Sequence, residues 1–309
     1  MIRIENLTKF YGKHLAVDDI SFNVEKGEIV GFLGPNAAGK TTTMRIITGY
    51  LMPTRGDVWV AENNMMSNSL DGRRLIGYMP EIVPLYTDMT TRAYLNFVAR
   101  LRGLDKKKTK TRIDAVVQTC HLEDYIDVIV RKLSKGFRQR VGLAQAIIHE
   151  PAVLILDEPT VGIDPIQVAE TRELIKRLGK EHTILLSTHV LPEVSMICDR
   201  IIIIHEGKIA AQDRIENLAT LLESGNRIRL KVQGPPEKVT GRLGQLDGVR
   251  EVYYEKPYHI VNFPSDLEPR GEITAALVQK GWTLLAMESV EMSLEDIFLR
   301  LTGEEAQGD

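Results

Sequence analysis

The sequence is poor in the features that would place it in a membrane, outside the cell or on nucleic acid. No apolar run approaches the roughly 20 residues needed to cross a bilayer. The expectation is a chain that does not span the membrane. Its start, Met1-Ile-Arg-Ile-Glu-Asn6, alternates like a strand and lacks the apolar core of a secretory signal. Only two cysteines occur in 309 residues, Cys120 and Cys198, far apart and without metal-ligand neighbours. A disulfide framework or a zinc site is not expected, and cytosolic residence is. Charge of one sign is also lacking. The net charge is -3, with no clustered basic face of the kind nucleic acid requires, so nucleic acid is not an expected partner. The one basic run, Lys106-Lys-Lys-Thr-Lys110 beside Gly103, reads as a solvated tip between helices. Low-complexity segments and internal repeats are missing too.

What is present is an ordinary globular composition, 43% hydrophobic and 26% charged, over a length that suggests two domains. The first two-thirds alternate strand-like and helix-like segments, the pattern of an α/β domain with a largely parallel sheet. Ile20, Phe22 and Val24 alternate with polar residues as a half-buried antiparallel strand would. Glu28 to Leu33 reads as a strand, 34 to 39 as a turn and Lys40 to Leu51 as a helix. From Thr90 to Arg131 the pattern becomes helical, with Tyr94, Phe97, Val98 and Leu101 on one face and Ile113, Val116 and Val117 on another. Strands resume at Val153 to Leu156, Thr183 to Ser187 and Ile201 to His205, each after a helix-like segment.

Composition shifts near Ser224-Gly-Asn226. Strands are expected at 227 to 232, 249 to 254, 259 to 263 and 283 to 287. Helices are expected at Pro235 to Leu246 and Ile273 to Lys280, and a last one from Ser293. Strand, helix, two strands, helix, strand is the split-βαβ order of a ferredoxin-like module. The expected division is 1–223, with a helical insertion at about 88–150, and 224–309.

Chemistry concentrates in two places. Gly34-Pro-Asn-Ala-Ala-Gly-Lys-Thr-Thr42 matches G-x-x-x-x-G-K-[ST] between a strand and a helix. Backbone N–H groups of such a loop and the helix dipole hold phosphate, Lys40 reaches the β- and γ-phosphates, and the Thr41 hydroxyl can bind Mg²⁺. Asp157 and Glu158 end an apolar strand, at the sheet edge where open α/β folds bind ligands. One carboxylate can hold magnesium through water while the other polarises the attacking water.

Gly34 to Thr42, Leu133 to Arg140, Leu156-Asp-Glu-Pro-Thr160, Gly162-Ile-Asp164 and Ser187-Thr-His189, in this order, resemble the nucleotide-binding subunit of ATP-binding cassette (ABC) transporters. The likeness covers roughly residues 1 to 215, and its order and spacing are specific. It implies that Tyr11 stacks on adenine, that Gly34, Asn36, Ala37, Ala38, Gly39 and Thr42 join Lys40 and Thr41 around ATP, and that Asp157 is magnesium-associated. It implies further that Glu158 is the catalytic carboxylate and that His189 contacts the γ-phosphate. Alone, Tyr11 reads as a strand-end aromatic and His189 as a surface histidine. Ser134 and Gly136 of the signature, and Asp164, are implied to reach across to a second copy, so that two chains close head to tail around two ATP molecules. The same residues also read as caps of ordinary helices, Ser134 before one and Asp164 before another at Pro165.

The chain departs from the family pattern at Ala37, at Lys135 and Phe137 of the signature, and at Glu81, where most relatives carry glutamine. A carboxylate at Glu81 can still ligate magnesium or position water. If the backbone at Ala37 requires a positive φ, alanine costs on the order of 1 kcal/mol there. None of these removes an essential group, and an active ATPase is expected. Pro80-Glu81 together with the ferredoxin-like extension resembles a subgroup serving export-type (ABC-2-like) permeases, in which the permease is a separate polypeptide. That implies a homodimer on the cytoplasmic face of the membrane. The alternative is a soluble relative acting on ribosomes or DNA. Those usually carry two cassettes or a long coiled-coil insertion, and neither is present. A kinase or GTPase leaves the signature and His189 unexplained.

Overall fold

The computed structural model describes residues 1–214, 217, 226–264 and 267–290. The chain divides into two compact units, Met1–Ile215 and Glu216–Asp309.

The first unit contains two sheets. In the smaller, β1 (Ile2–Tyr11), β2 (His14–Val24), β4 (Arg55–Val60) and β5 (Asn63–Asn64) pair antiparallel in the order β2-β1-β4-β5. Their alternation buries Ile2 and Ile4 on β1 and Ile20, Phe22 and Val24 on β2, as the period-two pattern requires.

The larger sheet has six strands in the order β10-β9-β3-β8-β7-β6, built from β3 (Ile29–Leu33), β6 (Ile76–Met79), β7 (Val153–Asp157), β8 (Thr183–Thr188), β9 (Arg200–His205) and β10 (Lys208–Arg214). All of its pairs are parallel except β10 on β9. β3, β7 and β8 are buried at every position, which explains apolar runs at 29–33, 153–156 and 184–186 in place of alternation. The core between the sheets joins Ile4, Phe22 and Val58 to Phe32, Ile155 and Ile202. Phe22 and Phe32 meet with ring centroids 5.4 Å apart.

Helix α1 (Lys40–Ile47) is shorter than the sequence suggests. Its pattern runs on to Leu51, but Gly49 adopts a φ of +68° and ends the helix, as a left-handed glycine does at a C-terminus. A short α2 (Ser69–Arg74) precedes β6. The expected helical insertion follows as α3 (Thr91–Leu101), α4 (Lys106–Thr119) and α5 (Lys135–Ile147). Thr90, Asp105 and Ser134 cap them, each side-chain oxygen accepting a backbone N–H three residues on. The Tyr94 hydroxyl donates to Gln145 Oε1 at 2.6 Å and ties α3 to α5.

Tyr94, Val98, Ile113, Val116 and Val117 are buried as their periodicity indicates. Leu101 is not. It is 70% exposed, because α3 ends there and the chain turns at Gly103 before any element can cover it. The basic run lies on the first turns of α4 rather than in the connector. Helices α6 (Pro165–Gly179) and α7 (Leu191–Ile197) precede β8 and β9. Among the described residues no helix is long and apolar enough to cross a membrane.

The second unit runs β11 (Asn226–Gln233), α8 (Pro236–Leu243), β12 (Glu251–Glu255), β13 (Tyr258–Phe263), α9 (Arg270–Gln279) and β14 (Thr283–Val290). Its sheet is antiparallel in the order β12-β13-β11-β14. Ile228, Leu230, Val261 and Phe263 on one face pack against Val239, Leu243, Ile273 and Leu277 of the two helices, and Trp282 lies against this core. The helix expected from Ser293, with Phe298, Leu299 and Leu301, falls outside the described residues.

Candidate functional site

β3 delivers the chain to the phosphate loop and α1 takes it away. Gly39, the N-cap of α1, has a φ of +108°, and a Cβ there would lie 2.6 Å from the Ala16 carbonyl oxygen. Only glycine fits both demands. Ala37 also has a positive φ, +65°, so the condition under which alanine is strained is met. Lys40 is 6% exposed. Its ammonium donates to the carbonyls of Gly34 (2.6 Å) and Pro35 (3.1 Å) and lies 3.3 Å from Glu158 Oε1.

The two carboxylates leave β7 in different directions. Asp157 is 1% exposed, and its Oδ1 accepts from Ser187 Oγ at 2.5 Å and from Thr41 Oγ1 at 3.3 Å. Burial pushes its carboxyl above the usual range. The Ser187 and Thr41 hydrogen bonds oppose that push, and the nearby Glu158 and Glu81 charges add to it. Glu158, with a φ of +50°, turns out of the strand. Its backbone N–H reaches both the carbonyl and the hydroxyl of Ser187 at 3.1 Å. Its carboxylate lies between Lys40 and His189, whose Nδ1 is 3.1 and 3.0 Å from the two oxygens. One hydroxyl, Ser187, therefore ties the Asp157 carboxylate to the backbone of Glu158.

A single cavity of about 560 Å³ collects most of the residues singled out in the sequence. Tyr11, Glu81, Glu158 and His189 line it together with Asn36, Ala37 and Gly39 to Thr42 of the loop. Gly34 and Ala38 lie just behind, Gly34 through its carbonyl on Lys40 and Ala38 buried. His14, Ala16 and Val161 also line the cavity and escaped the sequence reading. The signal for His14 was present. A turn at Gly12 pairs Tyr11 with His14 across β1 and β2, so an aromatic assigned to the site brings its hairpin partner with it.

Thr41 Oγ1, the Asp157 carboxylate and, on the cavity wall, Glu81 form a hard oxygen donor set of the type Mg²⁺ takes. Among the described residues no group of three or more His, Cys, Asp or Glu could hold a metal by itself. The raised carboxyl of Asp157 is the group a nearby cation would return to its charged form.

Ser134, Gly136 and Asp164 do not line this cavity. Ser134 Oγ accepts from Phe137 N at 3.4 Å and Asp164 Oδ1 from Gln167 N at 3.0 Å, so the capping readings of both hold. Within the chain the signature packs against the loop that follows Glu158. Gln139 Nε2 donates to the Val161 carbonyl at 3.2 Å. A Cβ on Gly136 would fall 1.5 Å from Gln167 Oε1, and one on Gly162 would fall 2.0 Å from Lys135 Nζ. Phe137 stacks on Tyr125 with centroids 3.8 Å apart.

Residues 17–161 match the protein family described as ABC transporter. The chain is 36% identical to the bacitracin transport ATP-binding protein BcrA of Bacillus licheniformis, over 98% of this chain and 97% of that protein. It is 34% identical to the Nod factor export ATP-binding protein I of Burkholderia pseudomallei, over 98% of this chain and 97% of that one. Among solved structures, an ATP-binding subunit of an ABC transporter aligns with a TM-score of 0.66 and 29% identity, covering 72% of this chain and 92% of the other.

Proposed function

This chain belongs to the ATP-binding proteins of ABC transporters, and from that premise we propose that it hydrolyses ATP with Mg²⁺ as a head-to-tail homodimer driving a separate transmembrane permease. The direction is export and the location is the cytoplasmic face of the membrane. The observation that carries the reading is the convergence of Lys40, Thr41, Glu158, His189 and Tyr11 on one cavity.

The loop N–H groups and the α1 dipole hold the phosphates, Lys40 neutralises the β- and γ-oxygens, and Tyr11 offers a ring, 45% exposed, for adenine. Glu158 orients and polarises the attacking water, and His189, hydrogen-bonded to it, faces the γ-phosphate. Mg²⁺, held through Thr41 and Asp157 with Glu81 beside them, supplies neutralisation of the phosphate oxygens. Ser134, Gly136 and Asp164, turned away from their own chain's cavity, serve the nucleotide on a second copy. The names of the relatives, bacitracin transport and Nod factor export, support transport and favour export. No observation favours action on ribosomes or DNA.

Glu158→Gln tests the mechanism. Hydrolysis falls by about 10³-fold and the protein accumulates as an ATP-bound dimer in size exclusion. A monomer that hydrolyses ATP undiminished overturns the reading. Co-purification with an integral membrane protein rather than with ribosomes checks the partner. For the second unit a regulatory or dimer-stabilising role is proposed. Deleting residues from Asn226 onward weakens assembly or alters regulation, and unchanged assembly and activity counts against it.

A further inference from the structure

A second cavity, about 820 Å³, opens between α3 and α4 and shares no lining residue with the first. Arg92 and Arg100 line it from α3, and Lys106, Lys107, Lys110 and Asp114 from α4. Five cations against one carboxylate is a strong local excess in a chain whose net charge is -3.

The basic residues of these helices fall into two groups. Lys108 and Arg112 pair with Glu150 at 3.4 and 3.2 Å, and Arg92 pairs with Asp127 at 2.8 Å. Among the described residues, Arg100, Lys106, Lys107 and Lys110 have no ion-pair partner. Nor do the three lysines support the helix they stand on. Lysines at the start of α4 oppose the helix dipole, and Asp105 already caps that end by accepting the Lys108 N–H at 2.8 Å.

We propose that this groove is a docking surface for an anionic lipid bilayer, whose headgroup phosphates the four unpaired cations engage. Unpaired cations gathered along one groove are what holds a helix pair at an anionic membrane surface. A single-stranded nucleic acid fits less well, since no aromatic side chain lines the groove for a base to stack on. The inference rests on the reading of the chain as the motor of a membrane permease, and it adds a direct contact with the lipid beside that permease.

The test uses the full-length protein, sedimented with vesicles of phosphatidylcholine alone or mixed with phosphatidylglycerol. The wild type binds the mixed vesicles, and raised salt weakens that binding. Each cation near an anionic leaflet contributes about fivefold, so Lys106→Gln/Lys107→Gln/Lys110→Gln lowers partitioning on the order of a hundredfold. Lys108→Gln/Arg112→Gln, on the paired side, leaves it unchanged, and both variants retain the ATP hydrolysis of the wild type. Equal binding to both vesicle types overturns the proposal, as does a triple variant that binds like wild type. Dependence on the permease regardless of lipid charge also overturns it, by identifying an acidic protein segment as the occupant, and so does tighter binding to RNA than to vesicles. The ATP-dependent dimer of Glu158→Gln is scored separately, so failure of vesicle binding and failure of the ATPase reading are told apart.

Discussion

In the Met1–Ile215 unit, Lys40, Asp157 and Glu158 are each less than a tenth exposed, whereas the buried polar groups described in Glu216–Asp309 are His259 and Asn262, neither a permanent charge. The ion pair Arg229–Glu288 of the second unit sits on an exposed sheet face. Burying an ammonium and two carboxylates carries a desolvation penalty that mutual attraction only partly repays. A fold tolerates that penalty where a charged substrate will complete the arrangement. The contrast supports placing the chemistry in the first unit; among its described residues the second is a packed sheet and helix layer whose charges lie at the surface.

The comparison breaks most visibly at Lys40. Lys40→Ala leaves Glu158 buried without its ammonium and removes the phosphate contact. The expected result is hydrolysis lowered by about 10³-fold and a loss of about 3 kcal/mol in denaturant unfolding without nucleotide. Retained stability would mean that the buried pair contributes nothing.

Next is His149, half-buried near the end of α5 with Nε2 on the Ile76 carbonyl at 3.1 Å. Burial, assisted by the Arg102 charge, pulls its pKa down to about 4. The unfolded chain takes up a proton below about pH 6.5 while the folded one stays neutral. Stability is therefore full above that value and declines as pH falls toward 4. The expected loss between about pH 7 and about pH 5 is about 1 kcal/mol, after a discount for the ring's contact with solvent. His149→Gln flattens this dependence. Burial lowers the pKa of His259 in the same direction, so melting curves of His259→Gln compare the two units on equal terms.

Ala37→Gly relieves the left-handed strain and stabilises the loop by about 1 kcal/mol, measurable as a rise of a few degrees in Tm. At the small end, Arg229→Ala on the second unit leaves the unfolding midpoint and hydrolysis as they were, because an exposed ion pair is screened by solvent. A large loss of activity there would erase the distinction between the units.

Much of this was legible in the residues. The buried strands at 29–33 and 153–156 announce themselves by apolar runs, the phosphate loop and the acidic pair by motif and spacing, and His189 only through the resemblance to the family. The misses share a physical cause. Leu101 carries the period of a buried face, but periodicity does not say where the neighbouring helix stops. The α1 pattern continued past Ile47 because helical apolar spacing persists through Gly49, where the backbone does not. Ala16 and Val161 reach the cavity through tertiary packing and carry no chemistry of their own to flag them.

The contact between Lys40 and Glu158 has one more consequence. In the proposed function these two are the phosphate anchor and the water-polarising carboxylate, and each is the other's counter-charge. A phosphate that draws on Lys40 then competes with Glu158 for one ammonium, so in that function nucleotide binding is coupled to the freedom of the carboxylate.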